Sequence, residues 1–347
     1  KLRVAVTKLQ PQGRGNVSGG IAFAGAPKQP LSASWNVKLT MAGGQLNPGI
    51  PCEHVHGGVE LIGSCNGDHF QSQGQLDVDS LISRGVQISD IQGPIWLDDS
   101  RVFLGSWSSR TRQQQLPPHV QARVFGGIVY ADGQVPFDSQ KKFEVSASLA
   151  DADLEKASLL FGTQQSVSGK ALGYVKLTGT GTGWHSLRGT GALHLREADI
   201  YQLPLMVSLL KLVKIRAPDR TAFTECDIRF NVSGKHLYFD PIKFKGDAIS
   251  LVGSGDMDST GELNVDFYAM VGREQLKLPL VRPVLGEASR QFMLINVSGP
   301  YGDPEMNRQP FPALNETIQQ MFPEATRRPE ERTSRFTRRR HRGDRLR

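Results

Sequence analysis

The sequence predicts a mainly β protein built from antiparallel strands. Apolar and polar residues alternate with a period of two in short segments along most of the chain, as at Ile21–Phe23, Val120–Val124 and Ile228–Val232. Turn signals such as Asn66-Gly67 and Thr260-Gly261 separate these segments at the spacing of an antiparallel meander. Glycine is frequent, at 37 of 347 residues, and aromatic residues make up only 7%. This composition suits strands joined by many turns.

Helical periodicity is confined to a few short segments, which we expect to cap the sheet. Residues 151–161 begin with acidic side chains and precede Gly162, as in a capped helix. Residues 202–214 are apolar on nearly every side, but they are too few to cross a bilayer. A third helix is expected near the C-terminus, at Pro312–Phe322.

The chain divides into four predicted regions. Residues 1–150 are expected to form a β-meander, and residues 151–304 a second β module that contains the helix 202–214. Residues 305–326 are expected to hold the short terminal helix. Residues 327–347 are expected to be a disordered, arginine-rich tail.

The positive charge belongs to that tail. The formal net charge is +7, and the tail alone holds ten arginines against Glu330, Glu331 and Asp344. The rest of the chain is therefore neutral overall. Phe336 is the single Phe, Tyr or Trp residue of the tail, so the tail lacks the interleaved aromatic side chains that stack on bases. Nucleic acid is therefore not an expected partner. We expect weak contact with polyanions or lipid head groups, through Arg338, Arg339, Arg340 and Arg342.

One cluster carries residue types that bind zinc: Cys52, His54, His56, Cys65 and His69. If Asn66-Gly67 forms a two-residue hairpin turn, Cys65 faces Asp68 and Cys52 lies opposite Leu81. Along a regular strand Cys52 is then roughly 40 Å from Cys65. This distance argues against both a metal site and a disulfide, and favours a row of histidines along a strand.

Other motifs also favour turns over chemistry. The run from Asp256 to Glu262 resembles a calcium loop, but its flanks read as strands, so a hairpin turn is the better interpretation. The glycines between Gly179 and Gly191 precede a strand and not the helix that a phosphate cradle needs. The motifs GxSxG, HExxH and Cys-x-x-Cys are absent. We therefore expect no catalytic residues, no metal and no cofactor.

An ordered series of motifs carries a family resemblance. The strand at 170–179 is followed by Leu187–Gly191 and by the segment 193–213. The segments 230–267 and 295–306 then run from strand through turn to a closing Asp-Pro. Residues 166–304 thereby resemble the C-terminal region of the AsmA-like family, the AsmA/TamB/YhdP type of bacterial envelope protein. The arginine-rich tail departs from the family pattern.

The resemblance implies a long, curved antiparallel sheet that forms an open groove, in a periplasmic protein of a diderm bacterium. It implies an anchor in the inner membrane upstream of Lys1, with outer-membrane or other envelope proteins as further partners. The function it implies is non-enzymatic transport of phospholipids, whose acyl chains the groove shields between the two membranes during outer-membrane biogenesis. The alternation fits this role, because one-sided strands in a single sheet place their apolar residues on one face.

Ten apolar strand residues are the candidates for the groove lining: Leu193, Leu195, Ile228, Phe230, Val232, Ile249, Leu251, Leu263, Val265 and Phe267. The same residues would also suit the core of a closed sandwich. An alternative function is a structural or interaction module that binds envelope proteins or polysaccharide without moving lipid. A hydrolase is a third option, and it would require a catalytic arrangement assembled from distant residues.

Overall fold

The computed structural model describes residues 9–25, 31–48, 50–108, 119–138, 140–159, 168–181, 183–198, 225–245, 249–271, 292–301 and 304–309. Of these residues, 77% lie in strands and 6% in helical turns. They form one long antiparallel sheet of 17 strands. The mainly β fold class predicted from the sequence is therefore confirmed.

The strands follow one another along the sheet in chain order. The first half contains β1 (Gly15–Ala24), β2 (Ser32–Leu46), β3 (Cys52–Asn66), β4 (His69–Ser83), β5 (Val86–Asp98), β6 (Arg101–Leu104), β7 (Val120–Val124), β8 (Gly127–Pro136) and β9 (Lys142–Asp153). The second half contains β10 (Lys170–Thr180), β11 (Arg188–Arg196), β12 (Glu225–Ser233), β13 (His236–Lys245), β14 (Ile249–Asp258), β15 (Glu262–Val271), β16 (Phe292–Pro300) and β17 (Glu305–Gln309).

Almost every strand pairs antiparallel with the strand before it and the strand after it. The exceptions are β6 and β7, which lie end to end in one row between β5 and β8. The helical structure that is described is short: the helix α1 (Leu154–Ser158) and two 3-10 turns, Gly105–Ser108 and Trp184–Ser186.

The strand registers place apolar residues on one face, which we call the apolar face. Val17 opposes Leu39, which opposes Val59, and the row continues through Leu76. The opposite face, which we call the polar face, carries residues such as Lys38 and Glu60, which oppose each other. Successive side chains of a strand point to opposite faces, so the period-two pattern of the sequence becomes a two-sided sheet. The apolar face gives the sheet its groove character.

Bulges keep the apolar residues on that face where the alternation changes phase. The register shifts next to His54, Asp90 and Asp151, and each of these residues has a positive φ between 51° and 56°. Aspartate and histidine enter this left-handed region more readily than most residues. Each bulge adds one residue, so residues three apart can share a face. Leu149 and Ala152 on β9 are such a pair, because they oppose Gly173 and Ala171 of β10.

Large side chains on the apolar face lie over glycines of the neighbouring strand. A Cβ atom at Gly253 would come within 2.6 Å of the Phe267 ring, and one at Gly191 within 2.7 Å of the Phe230 ring. At Gly63 the same position is occupied by the Trp35 indole, at 2.5 Å. These glycines are needed for close approach, since any larger residue would push the aromatic ring off the sheet.

Several local expectations are corrected by the structure. The helix predicted at 151–161 begins later, because β9 continues to Asp153. Asp153 then caps α1 by accepting a hydrogen bond from the Glu155 amide at 3.0 Å. The division predicted near residue 150 falls inside β9, which pairs with strands on both sides. Residues 305–309 form β17 and not a helix. The segments 202–214 and 312–322 lie outside the described residues.

The hairpin turn between β3 and β4 is also displaced from its predicted place. Asn66 opposes His69, so the two turn residues are Gly67 and Asp68, and Cys65 faces Phe70 instead of Asp68. Gly67 has φ of 59°, and Asp68 is not among the residues with positive φ. A glycine with positive φ at the first turn position indicates a type II′ turn. The Asn66 side chain is therefore left at the end of a strand.

Candidate functional site

The candidate site is the apolar face, and all ten residues predicted to line it share that face. Leu193 opposes Ile228, and Phe230 opposes Gly191 across the β11–β12 pair. Val265 opposes Gly255 across the β14–β15 pair. The remaining candidates follow from the same registers: Leu195, Val232, Ile249, Leu251, Leu263 and Phe267. Their role in binding a ligand stays a prediction.

Burial divides these ten residues into two groups. Those on β11 and β12 are mostly half-buried: Leu193, Ile228, Phe230 and Val232. Leu195 on β11 is buried, as are the candidates on β14 and β15 whose side chains are described: Leu251, Leu263, Val265 and Phe267. The first group keeps part of its surface exposed, although Leu193 and Ile228 pack against the buried cluster, whereas the second group forms part of a packed core.

The covered part of the apolar face is centred on β13–β16 and extends to buried residues of β9–β12, such as Ala171, Leu195 and Cys226. Phe267, Ile295 and Val297 are 0% exposed, and they belong to one cluster of buried side chains. The Phe244 and Phe267 rings lie 5.9 Å apart between centroids and reach each other diagonally across β14. Side chains in such a cluster stabilise the fold through their burial, and their surface is not free for a ligand.

The open end of the apolar face lies at β1. Val17, Ile21 and Phe23 are 68%, 58% and 68% exposed, and Leu39 beside them on β2 is also exposed. These residues are not among the ten predicted lining residues, although the alternation at Ile21–Phe23 predicts a strand. The alternation predicts on which face of the sheet a side chain lies. The exposure of that side chain depends on which strand lies at the edge of the sheet and on what covers the face.

One polar group is built into the apolar face. Ser72 is 1% exposed and lies on this face of β4, opposite Gly63 and Leu97. Its hydroxyl donates to the Ile62 carbonyl at 3.1 Å and accepts from the Trp35 indole N–H at 3.2 Å. Trp35 also stacks on Phe70 with ring centroids 5.2 Å apart. These partners satisfy the buried hydroxyl and fix the orientation of the indole.

The polar face is held by ion pairs between neighbouring strands. His194 Nδ1 lies 2.6 Å from Asp227, and Lys245 Nζ lies 3.1 Å from the same carboxylate. Partial burial acts to raise the pKa of Asp227, but hydrogen bonds from His194 and Lys245 outweigh it and hold the pKa below its ordinary value. All three side chains remain more than a third exposed, so this network is in contact with solvent.

The run from Asp256 to Glu262 forms the hairpin turn that its sequence predicts. Asp258 accepts hydrogen bonds from the Thr260 amide at 2.8 Å and hydroxyl at 2.6 Å, and these bonds, led by the hydroxyl, hold its pKa below the ordinary value. This is a hairpin turn between β14 and β15, as expected. Cys52 and Cys65 lie at opposite ends of β3. Within the described residues no group of three histidine, cysteine or acidic side chains could hold a metal ion.

Burial also raises the pKa of the cysteine thiols inside the sheet. The Cys226 thiol is 1% exposed on the apolar face, and desolvation raises its pKa to about 12. The pKa of Cys52 is raised by the same cause. The cysteines are free thiols, and a raised pKa makes a thiol inert. The candidate contacts Arg338, Arg339, Arg340 and Arg342 lie outside the described residues.

Comparisons with protein-family models, with curated proteins and with solved structures found no match to this chain. In the described part of the chain, no helix is both long enough and apolar enough to span a membrane. The apolar face therefore has to be interpreted from its own geometry.

Proposed function

We propose that this chain is a non-enzymatic lipid carrier of the bacterial cell envelope, of the AsmA-like type. In this proposal the apolar face shields phospholipid acyl chains between the inner and outer membranes, and an upstream anchor holds the protein in the periplasm. The observation that carries the proposal is the continuity of the apolar face. Its registers run from β1 to β16, and apolar residues such as Val17, Leu39, Leu193, Val265 and Val297 occupy it along this length.

The half-buried part of the face offers a suitable surface for an acyl chain. A chain of about sixteen carbons gains about 0.8 kcal/mol per buried CH₂, so covering one side of it contributes about 6 kcal/mol. This corresponds to a dissociation constant of order 10⁻⁴ to 10⁻⁵ M. Neighbouring positions on β2–β12 are similar apolar or glycine sites, so a lipid could move along them at little net cost.

The lipid-bearing part in this proposal is the part of the face of β1–β12 that lies outside the buried cluster. Leu39 and Phe230 belong to it, whereas Phe267 and Val297 lie in the covered core at β13–β16. The ten predicted lining residues are thus divided. Together with the exposed residues of β1 and β2, we retain as contacts for lipid the half-buried residues of β11 and β12: Leu193, Ile228, Phe230 and Val232.

A site-specific photo-crosslinking experiment tests this proposal. A benzophenone side chain replaces Leu39 on the apolar face, and in a matched control it replaces Ile62, which is 53% exposed on the polar face of the neighbouring strand. The purified chain is then irradiated with vesicles of phosphatidylethanolamine and phosphatidylglycerol. We expect lipid adducts by mass spectrometry from position 39 and none from position 62.

Equal labelling at the two positions, or no adduct at either, would contradict lipid carriage. Mass spectrometry of the purified chain gives a second readout, because a lipid carrier should retain bound phospholipid. If the purified chain carries no lipid and binds no fluorescent fatty acid, the proposed lipid carriage is wrong.

One observation favours the second candidate, a structural or interaction module. The covered core at β13–β16 has no surface free for a ligand at Phe267, Ile295 and Val297, as expected of a β module that binds envelope proteins or polysaccharide through its outside. Under this alternative, position 39 would yield no lipid adduct with vesicles, and irradiation in a cell-envelope extract would give crosslinks from position 62 to protein or glycan.

A further inference from the structure

The strand β1 differs from every other strand of the sheet in its exposure. All ten of its residues are exposed, on both faces. In β2, which has a neighbour on each side, exposed residues are interspersed with partly buried ones. Among the described strands β1 pairs with β2 alone. Within the described part of the chain, the backbone N–H and C=O groups of its other edge therefore have no strand partner.

This edge has none of the features that protect sheet edges from pairing. The sequence of β1, GNVSGGIAFA, contains no charged residue and no proline, and it is ten residues long. The strand β17 at the other end of the sheet is only five residues long and contains Glu305 and Arg308. Short length and charge are the usual means by which proteins block edge-to-edge association. Only β17 uses them.

We propose that β1 is an interface at which two copies of this chain pair, edge to edge and antiparallel. The two sheets then join into one sheet with a two-fold axis at Gly20. The apolar faces of both copies lie on the same side. This proposal rests on β1 itself and stands whether or not the face carries lipid.

The sequence of β1 is complementary to itself in this arrangement. With Gly20 opposite its symmetry mate, Val17 opposes Phe23 of the second copy and Gly19 opposes Ile21. All four residues lie on the apolar face, by their registers with β2. The Ile21 side chain would lie over a glycine, as Phe230 lies over Gly191 within the chain. Charged side chains are absent from both strands, so no like charges meet.

The pairing would also cover the most exposed apolar side chains of the sheet. Val17, Ile21 and Phe23 gain cross-strand neighbours, and their contact adds to the backbone hydrogen bonds of the new strand pair. The apolar face would then continue from one copy into the second. Within the described strands of a single copy, this face ends at β1.

Sedimentation equilibrium of the full chain and of two variants tests the proposal. Ile21→Lys places a positive charge on the β1 edge. Because of the two-fold symmetry, the dimer interface would then contain two such charges, one from each copy. Ile62→Lys is the matched control, since Ile62 has a similar exposure but lies on the inner strand β3. We expect a dimer at micromolar concentration, weakened at least about tenfold by Ile21→Lys and unchanged by Ile62→Lys.

Hydrogen exchange provides the second measurement. The amides of alternate residues within 16–24 that point away from β2 should become more protected as the wild-type concentration rises, and this gain should be lost in Ile21→Lys. A wild-type monomer at every concentration would overturn the proposal, as would a dimer that resists Ile21→Lys. Open-ended oligomers, which β1–β17 pairing would produce, would also refute the two-fold arrangement.

Discussion

Phe267→Ala and Phe230→Ala form a matched pair that measures where the apolar face is covered. Each phenylalanine lies on that face and each ring covers a glycine of the neighbouring strand, Gly253 or Gly191. Phe267 is 0% exposed and contacts the buried Phe244, whereas Phe230 is only half-buried. Truncating a fully buried phenylalanine costs about 3–5 kcal/mol, because the lost transfer free energy is joined by a cavity.

For Phe230 the expected loss is smaller. Only part of its ring is removed from water, and solvent or a bound chain can fill the space left by truncation, so about 1–2 kcal/mol is expected. The two losses should therefore differ by about 2 kcal/mol or more.

The free energy of unfolding is measured by urea titration with far-ultraviolet circular dichroism, with wild type and both variants at one pH and one protein concentration. The slope against urea should stay the same if the native state keeps its compactness. Equal losses for the two variants, or a larger loss for Phe230→Ala, would refute the division of the apolar face into a covered core and an accessible part.

Two further predictions concern titratable groups. In the native chain we expect Cys65, which is partly exposed, to react with a thiol reagent while Cys226 does not, since burial raises the pKa of Cys226 to about 12; rapid native labelling of Cys226 would contradict its burial. The low pKa of Asp227 stabilises the fold at neutral pH, and this stabilisation should be lost as the pH falls below the ordinary range of a carboxyl group and through the lowered pKa. The difference in unfolding midpoint between wild type and Asp227→Asn should therefore shrink on acidification, and a difference that stays constant down to pH 2 would show that His194 and Lys245 do not hold the carboxylate in its charged form.

The face on which each strand places its apolar side chains could be predicted from the sequence. Alternation within β12 places Ile228, Phe230 and Val232 on one side, and the structure keeps them there together with Leu193 and Val265. This succeeds because a strand has a fixed period of two and the pattern is local. The turn of the β14–β15 hairpin was predictable for the same reason, since its capping interactions lie within five residues.

Other features depended on longer-range geometry. The bulge at Asp151 extended β9 into the segment where acidic residues predicted a helix, because pairing with β8 and β10 decides how far that strand runs. The turn at Gly67 shifted the register of β3 and β4 by one position on each strand, since the type II′ geometry puts its glycine first. Neither the end of β9 nor the position of this turn can be read from the spacing of apolar residues.

The sequence by itself determined that this chain forms one-sided strands with a neutral, mainly β body, because alternation and turn chemistry act over a few residues. Only the tertiary structure decided which part of the apolar face is a core and which is open. Phe23 and Phe267 have the same facing in the sequence pattern, yet one is 68% exposed and the other is 0% exposed. The physical reason is that burial depends on the neighbours that a strand acquires in the sheet. Among the described strands, β1 pairs with one neighbour, whereas β15 pairs with two and has a packed cluster above it.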